Sequence, residues 1–113
     1  YVICGDWNIA HKQIDIKNWR ANQKNSGFLP EERAWMDELL GPQKYVDAFR
    51  VVNEEADQYT WWSNRGRAWD NNVGWRLDYQ IVTPGLRDKV KRTEIYKDER
   101  FSDHAPLTMD YDL

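Results

Sequence analysis

The chain has little of several things, and each shortage excludes something. A single cysteine, Cys4, stands among 113 residues, so no internal disulfide can form. A reducing compartment, the cytoplasm, is the one that fits. Long apolar runs are missing: 41% of residues are hydrophobic and the mean hydropathy is −0.92, which leaves no stretch able to cross a bilayer as a helix. Six glycines and four prolines are scattered singly, with no Gly/Ser linker, low-complexity tract or internal repeat to mark a domain boundary. Positive charge is not in excess either. A net charge of −3 argues against a protein that grips nucleic acid by charge alone. The sequence opens in mid-strand on Tyr1, not on an initiator methionine, so it is silent on any leader.

The length suits one small domain. Aromatic residues are plentiful, with seven Trp, six Tyr and three Phe in so hydrophilic a chain; they form either an aromatic core or a surface for planar ligands. Tyr1 to Cys4 reads as a buried strand closed by Gly5. A polar stretch from His11 to Ser26 is long for a loop in a compact domain, and such loops are usually functional or disordered. Pro30, Glu31 and Glu32 begin a helix with Ala34, Trp35, Leu39 and Leu40 as its apolar stripe, stopped by Gly41-Pro42. Tyr45 to Phe49 reads as a second short helix or turn. Strands are expected at Tyr59–Trp62, Trp75–Val82, about Val90–Tyr96 and Ala105–Tyr111, with a polar loop over Asn64–Gly74. The class is mixed α/β. Such a layer needs another to bury its second face, and this much strand in so short a chain would be marginal alone.

Three stretches carry chemistry. In "GDWN", Asp6 and Asn8 stand at a strand end, where side chains two apart project together; Gly, Asp and Asn are equally the residues of a plain turn. "GWRLDYQIV" places Asp78 inside an apolar strand, and "RFSDHAPL" places Asp103 and His104 just before the last one. A carboxylate within a strand needs a partner. His104 is one, since an Asp that accepts from one ring nitrogen raises the imidazole pKa and aims the other nitrogen outward. Ion pairing of Asp78 with Arg76 or Arg100, and a surface role for His104, satisfy the same sequence.

In that order, GDWN, GWRLDY and SDH resemble the endonuclease/exonuclease/phosphatase superfamily. With "KNSGFLPEER", "YTWW" and "NNVGWRLDY" between them, the whole chain is similar to the exonuclease III family of apurinic/apyrimidinic endonucleases. The resemblance implies the carboxyl-terminal half of a four-layer αββα sandwich of DNase I type, cut from a longer enzyme whose first half supplies further strands and a metal-binding Glu. It also implies Mg2+-dependent phosphodiester hydrolysis 5′ to abasic sites in duplex DNA, with 3′–5′ exonuclease or 3′-end repair activity. By the same resemblance Asp6 activates water, Asn8 bonds the phosphate, and His104, held by Asp78, stabilises the developing charge. Asp103 helps bind Mg2+, or Mn2+ in its place. Trp61, Trp75 and Leu77 line a pocket for the extruded abasic sugar, and Asn22 and Asn25 contact DNA phosphates; strand alternation, apart from the resemblance, makes Trp62 the buried member of the Trp61–Trp62 pair. Double-stranded DNA with abasic sites is the implied partner, a membrane is not, and the locale is the cytoplasm or a bacterial nucleoid. The chain by itself is expected to self-associate or to need its other half. Two other readings compete: a different superfamily phosphodiesterase, DNase I-like or acting on phospholipid headgroups, and a catalytically inactive DNA-binding fragment.

Overall fold

The computed structural model describes all 113 residues. In chain order they form β1 (Val2–Asp6), α1 (Trp19–Asn22), α2 (Pro30–Leu40), β2 (Val46–Asp47), α3 (Ala48–Val52), β3 (Trp61–Trp62), β4 (Gly74–Trp75), β5 (Asp78–Val82), β6 (Val90–Ile95) and β7 (Leu107–Tyr111). The central strand is β5. Along one edge β1 pairs with it antiparallel, from Val2 opposite Val82 to Asp6 opposite Asp78; along the other lies β2. Two hairpin-like pairs, β3 with β4 and β6 with β7, complete the strands, and single bridges from Ile16 to Trp75 and from Trp61 to His104 tie the pieces together.

The molecule is a slab of 42 × 33 × 20 Å. Its thin dimension is that of two layers, since a packed sheet or helix takes up about 10 Å. Helix α2 covers one face of β5, burying Met36 against Tyr79 and Ile81. Val46, Ala48, Val82 and Val90 form a second cluster under α3. Around the candidate site, Ala10, Ile16, Phe28 and Leu77 form a third, and Tyr59, Trp62 and Ala105 a fourth. Helix α2 starts where sequence chemistry puts it. Pro30 takes the first turn, and the Glu32 carboxylate accepts from the backbone N–H of Gly27 (2.7 Å) and Leu29 (3.0 Å), closing the loop onto the helix.

Several expectations are corrected. The first strand is not buried: all five residues of β1 are exposed, Cys4 included, because the strand is an edge that no second layer covers. In α2 the fully buried residue is Met36, which the proposed stripe omitted, whereas Trp35 is about half exposed and leans on Trp7. The Tyr45–Phe49 segment splits into β2 and the start of α3. Trp75–Val82 is two strands. Between them the Arg76 N–H donates to the Asp15 carbonyl (2.7 Å), and the N–H groups of Leu77 and Asp78 both donate to the Thr60 hydroxyl. Within Tyr59–Trp62, only the last two residues pair as strand. The long polar stretch is ordered by a 3-10 turn at Gln13–Asp15 and by α1.

Arg76 forms the buried polar centre. It is 1% exposed and donates to the Asp15 carboxylate (2.8 Å) and, with both terminal nitrogens, to Asp47 (3.1 and 2.6 Å); Arg50 adds a second cation to Asp15 at 2.6 Å. Burial alone would raise the Asp15 pKa, but the charges and hydrogen bonds of Arg76 and Arg50 outweigh it and hold the carboxyl below its ordinary 3.8. A depressed carboxylate contributes stability that is present above its unfolded pKa and lost as pH falls through the folded one. Asp15→Asn should therefore cost on the order of 3 kcal/mol at pH 7. In urea titrations the gap between wild type and variant should close only below pH 3.8; a gap that is constant with pH would contradict the assignment.

Candidate active site

The register of β1 on β5 sets Asp6 directly opposite Asp78, so both carboxylates stand on one face of the ladder at its end. His104 arrives from the other end of the chain. Its Nδ1 lies 2.8 Å from the Asp78 carboxylate, and its Nε2 points toward Asp6, 3.6 Å from the nearer oxygen. The Trp61–His104 bridge and the backbone bond from Trp62 N–H to the Asp103 carbonyl (3.1 Å) hold this segment on β3. The Ser102 hydroxyl spans the turn, donating to the His104 carbonyl and accepting from its N–H. Burial alone would lower the imidazole pKa. The hydrogen bond and charge of Asp78, reinforced by Asp6 and Asp103, prevail and hold it above its ordinary value.

Asp6 and Asn8 do converge, but not by strand alternation. The strand ends at Asp6, and Asn8 adopts a left-handed backbone, φ 56°. An Asx turn joins them: the Asp6 carboxylate accepts from the Asn8 N–H at 2.9 Å. With its carboxamide nitrogen turned to Asp6, Asn8 also donates to both carboxylate oxygens at 3.2 and 3.3 Å.

A cavity of about 540 Å3 lies next to this group, lined by Asn8, Asn25, Trp61, Trp75 and Leu77, with Ser26 and Gly27 at its edge. Trp61 and Trp75 pair across β3 and β4 and meet edge to face, 6.0 Å between centroids. Trp62 points the other way and is fully buried. Asn22 does not line the cavity. It sits on α1, where its side-chain oxygen accepts from Asn25 and its nitrogen donates to the Asn18 carbonyl. Gly27 does contribute, although the sequence reading passed over it. It is at φ 99°, and a β-carbon there would stand 2.6 Å from the Trp75 ring. Thr60 was missed as well; in sequence it is one more strand former, and only the fold reveals its hydroxyl holding Leu77 and Asp78. Two basic residues of the polar surface, Lys17 and Arg67, pair with Asp57 and Asp70.

Asp6, Asp78 and His104 each offer a donor atom within 4.8 Å of the others, a group that could hold a metal ion. Asp103 lies beside it. One of its oxygens is 4.0 Å from the imidazole, and the other accepts from the Trp61 indole N–H at 3.1 Å. Carboxylate oxygens without a thiolate suit a hard divalent cation.

These features define a class. The chain belongs to the Endonuclease/Exonuclease/phosphatase family, whose model matches residues 1–104. Among its relatives, the exodeoxyribonuclease of Bacillus subtilis is 40% identical over 96% of this chain and 43% of its own length. The DNA repair nuclease APEX1 of Danio rerio is 41% identical over 96% of this chain and 35% of its own. The solved structure of an AP endonuclease from Archaeoglobus fulgidus superposes with a TM-score of 0.91 and 26% identity, covering 99% of this chain and 45% of that one. The chain thus spans less than half the length of these relatives, and its fold is part of a DNase I-like α/β sandwich. No helix is long and apolar enough to cross a membrane.

The His104 geometry makes a direct prediction. Its ring protons, followed by NMR, should titrate with a midpoint above 6.5, and Asp78→Asn should bring that midpoint down. A midpoint unchanged in the variant would show that the 2.8 Å contact does not govern the imidazole.

Proposed function

We propose that the protein to which this chain belongs hydrolyses the phosphodiester bond 5′ to an abasic site in duplex DNA, with Mg2+, and trims or repairs 3′ ends. The observation that carries this reading is the position of the Asp78–His104–Asp6 group beside a cavity walled by two tryptophans. Asp6 orients a water molecule and takes its proton as the oxygen attacks phosphorus. Asn8 donates to the phosphate. His104, its Nδ1 engaged by Asp78, donates from Nε2 to a non-bridging oxygen as charge builds there. Asp103 would help hold Mg2+, which when bound would stabilise the departing 3′ oxygen.

The cavity supplies selectivity. Its apolar Trp61, Trp75 and Leu77 walls would receive the ring of an extruded sugar that carries no base. Asn22 and Asn25, linked to each other, would position the strand through its phosphates. We also take the chain to be the carboxyl-terminal part of a single catalytic domain. Coverage of 35–45% of the relatives supports this, as does the apolar edge strand, where Val2 and Ile3 are more than 40% exposed.

In the full-length protein, Asp6→Asn or His104→Ala should lower kcat for abasic-site cleavage by at least about a hundredfold. Activity within a few-fold of wild type would remove them from the reaction. Trp75→Ala should weaken discrimination between abasic and intact duplex and leave the Mg2+ dependence as it was. A variant that kept its selectivity and lost its metal response would reverse the roles given to pocket and phosphate site.

A further inference from the structure

The segment after β1 carries Asn8, yet strand pairing does not hold it. The ladder ends at Asp6, and one further backbone bond follows it, from the Trp7 N–H to the Leu77 carbonyl at 2.9 Å. The chain then turns at Asn8 and runs beneath β5. There its polar backbone groups find fixed partners. The Ala10 N–H donates to the Gly27 carbonyl (2.9 Å). The Ile9 carbonyl accepts from the Tyr79 hydroxyl at 2.7 Å, and the His11 N–H donates to the same hydroxyl oxygen at 3.1 Å. Tyr79 is 1% exposed, and its burial raises the phenol pKa far above the ordinary range, so the hydroxyl keeps its proton and stays a donor. The Arg76 carbonyl, 3.2 Å away, is a second acceptor for it. The far end of the segment is pinned separately, by the His11 imidazole to Asp37 of α2 at 2.6 Å.

We infer that Tyr79 is a positioning residue for Asn8: its hydroxyl clamps Ile9 and His11 and so fixes the left-handed turn that presents the Asn8 carboxamide. The inference rests on the phosphodiesterase reading above. Successive residues of β5 divide the work, because alternation sends Asp78 to one face, where His104 waits, and Tyr79 to the other. Without the hydroxyl, the buried His11 N–H and the part-buried Ile9 carbonyl lose this partner, which is costly. The relief available is a shift of residues 8–11. The Asp6 backbone stays in place, because the β1–β5 ladder and not Tyr79 fixes it, although its carboxylate loses some of its hold on the Asn8 N–H when the turn moves.

The test uses full-length protein. Tyr79→Phe should lower kcat on an abasic duplex roughly ten- to a hundredfold, the scale of a misplacement near 1 Å. In an Asn8→Ala background the same substitution should cost at least about threefold less than in wild type, because the carboxamide it positions is gone and only the backbone N–H to Asp6 remains. An equal cost in both backgrounds, or none in either, would overturn the inference. Amide exchange gives an arm independent of the substrate. The His11 amide should exchange at least about tenfold faster in Tyr79→Phe, as local opening becomes easier; unchanged protection would refute the clamp. A wild-type protein inert on abasic DNA would sink the functional reading, and the exchange result would still decide the clamp. Should the Phe variant unfold, the wild-type protein decides the clamp: its His11 amide, bonded to the Tyr79 hydroxyl, should exchange as slowly as the amides of the β1–β5 ladder, and exchange as fast as an unpinned loop would overturn the inference.

Discussion

Two carboxylates face each other at the end of a β-ladder, and much of the site follows from that unfavourable pairing. Like charges directly opposite on neighbouring strands repel, and the register of β1 on β5 leaves Asp6 and Asp78 no other arrangement. The imidazole of His104 reaches between them, bonded to one and turned toward the other. Its charge is favoured by the same two groups whose repulsion it relieves. The site is thereby poised for anion chemistry. A phosphate oxygen or a cation brought there enters a balance of charge that the strands have already imposed.

Arg76 performs the corresponding task out of contact with solvent. Its planar fork satisfies Asp15 and Asp47 together, a match that a lysine ammonium could not reproduce. Because Arg76 lies two residues before Asp78, the cluster also fixes where β5 begins. The buried ions therefore act as a register mark more than as a source of net stability.

Much of this was legible in the sequence. Helix α2 followed from Pro30 and the Glu pair, the central strand from the apolar run around Asp78, and Trp62 as the buried tryptophan from strand parity. The pairing of Asp78 with His104 was also accessible, since a carboxylate in an apolar strand demands a partner. What could not be read depended on distant neighbours. A run of apolar residues looks buried whether or not a layer covers it, so the exposure of β1 was invisible. Thr60 reads as one more β-branched residue until the break in Trp75–Val82 brings two N–H groups to its hydroxyl. Asp15 and Asp47 carry no local sign that they share one guanidinium, and that is why Arg76 offered itself as a partner for Asp78.

The bond from the Trp61 indole to Asp103 makes one wall of the cavity a ligand to the acidic group beside it. The shape of that wall and the hydrogen bonding of the acidic group are consequently not separable in this fold. A phenylalanine at 61 would preserve a flat apolar wall but release a carboxylate oxygen now committed to an N–H. A change of cavity shape at residue 61 would thus alter the electrostatic setting of Asp103 as well, unless that residue kept a donor. Trp75 has no such tie to Asp103 and leaves selection freer to reshape the wall on its side.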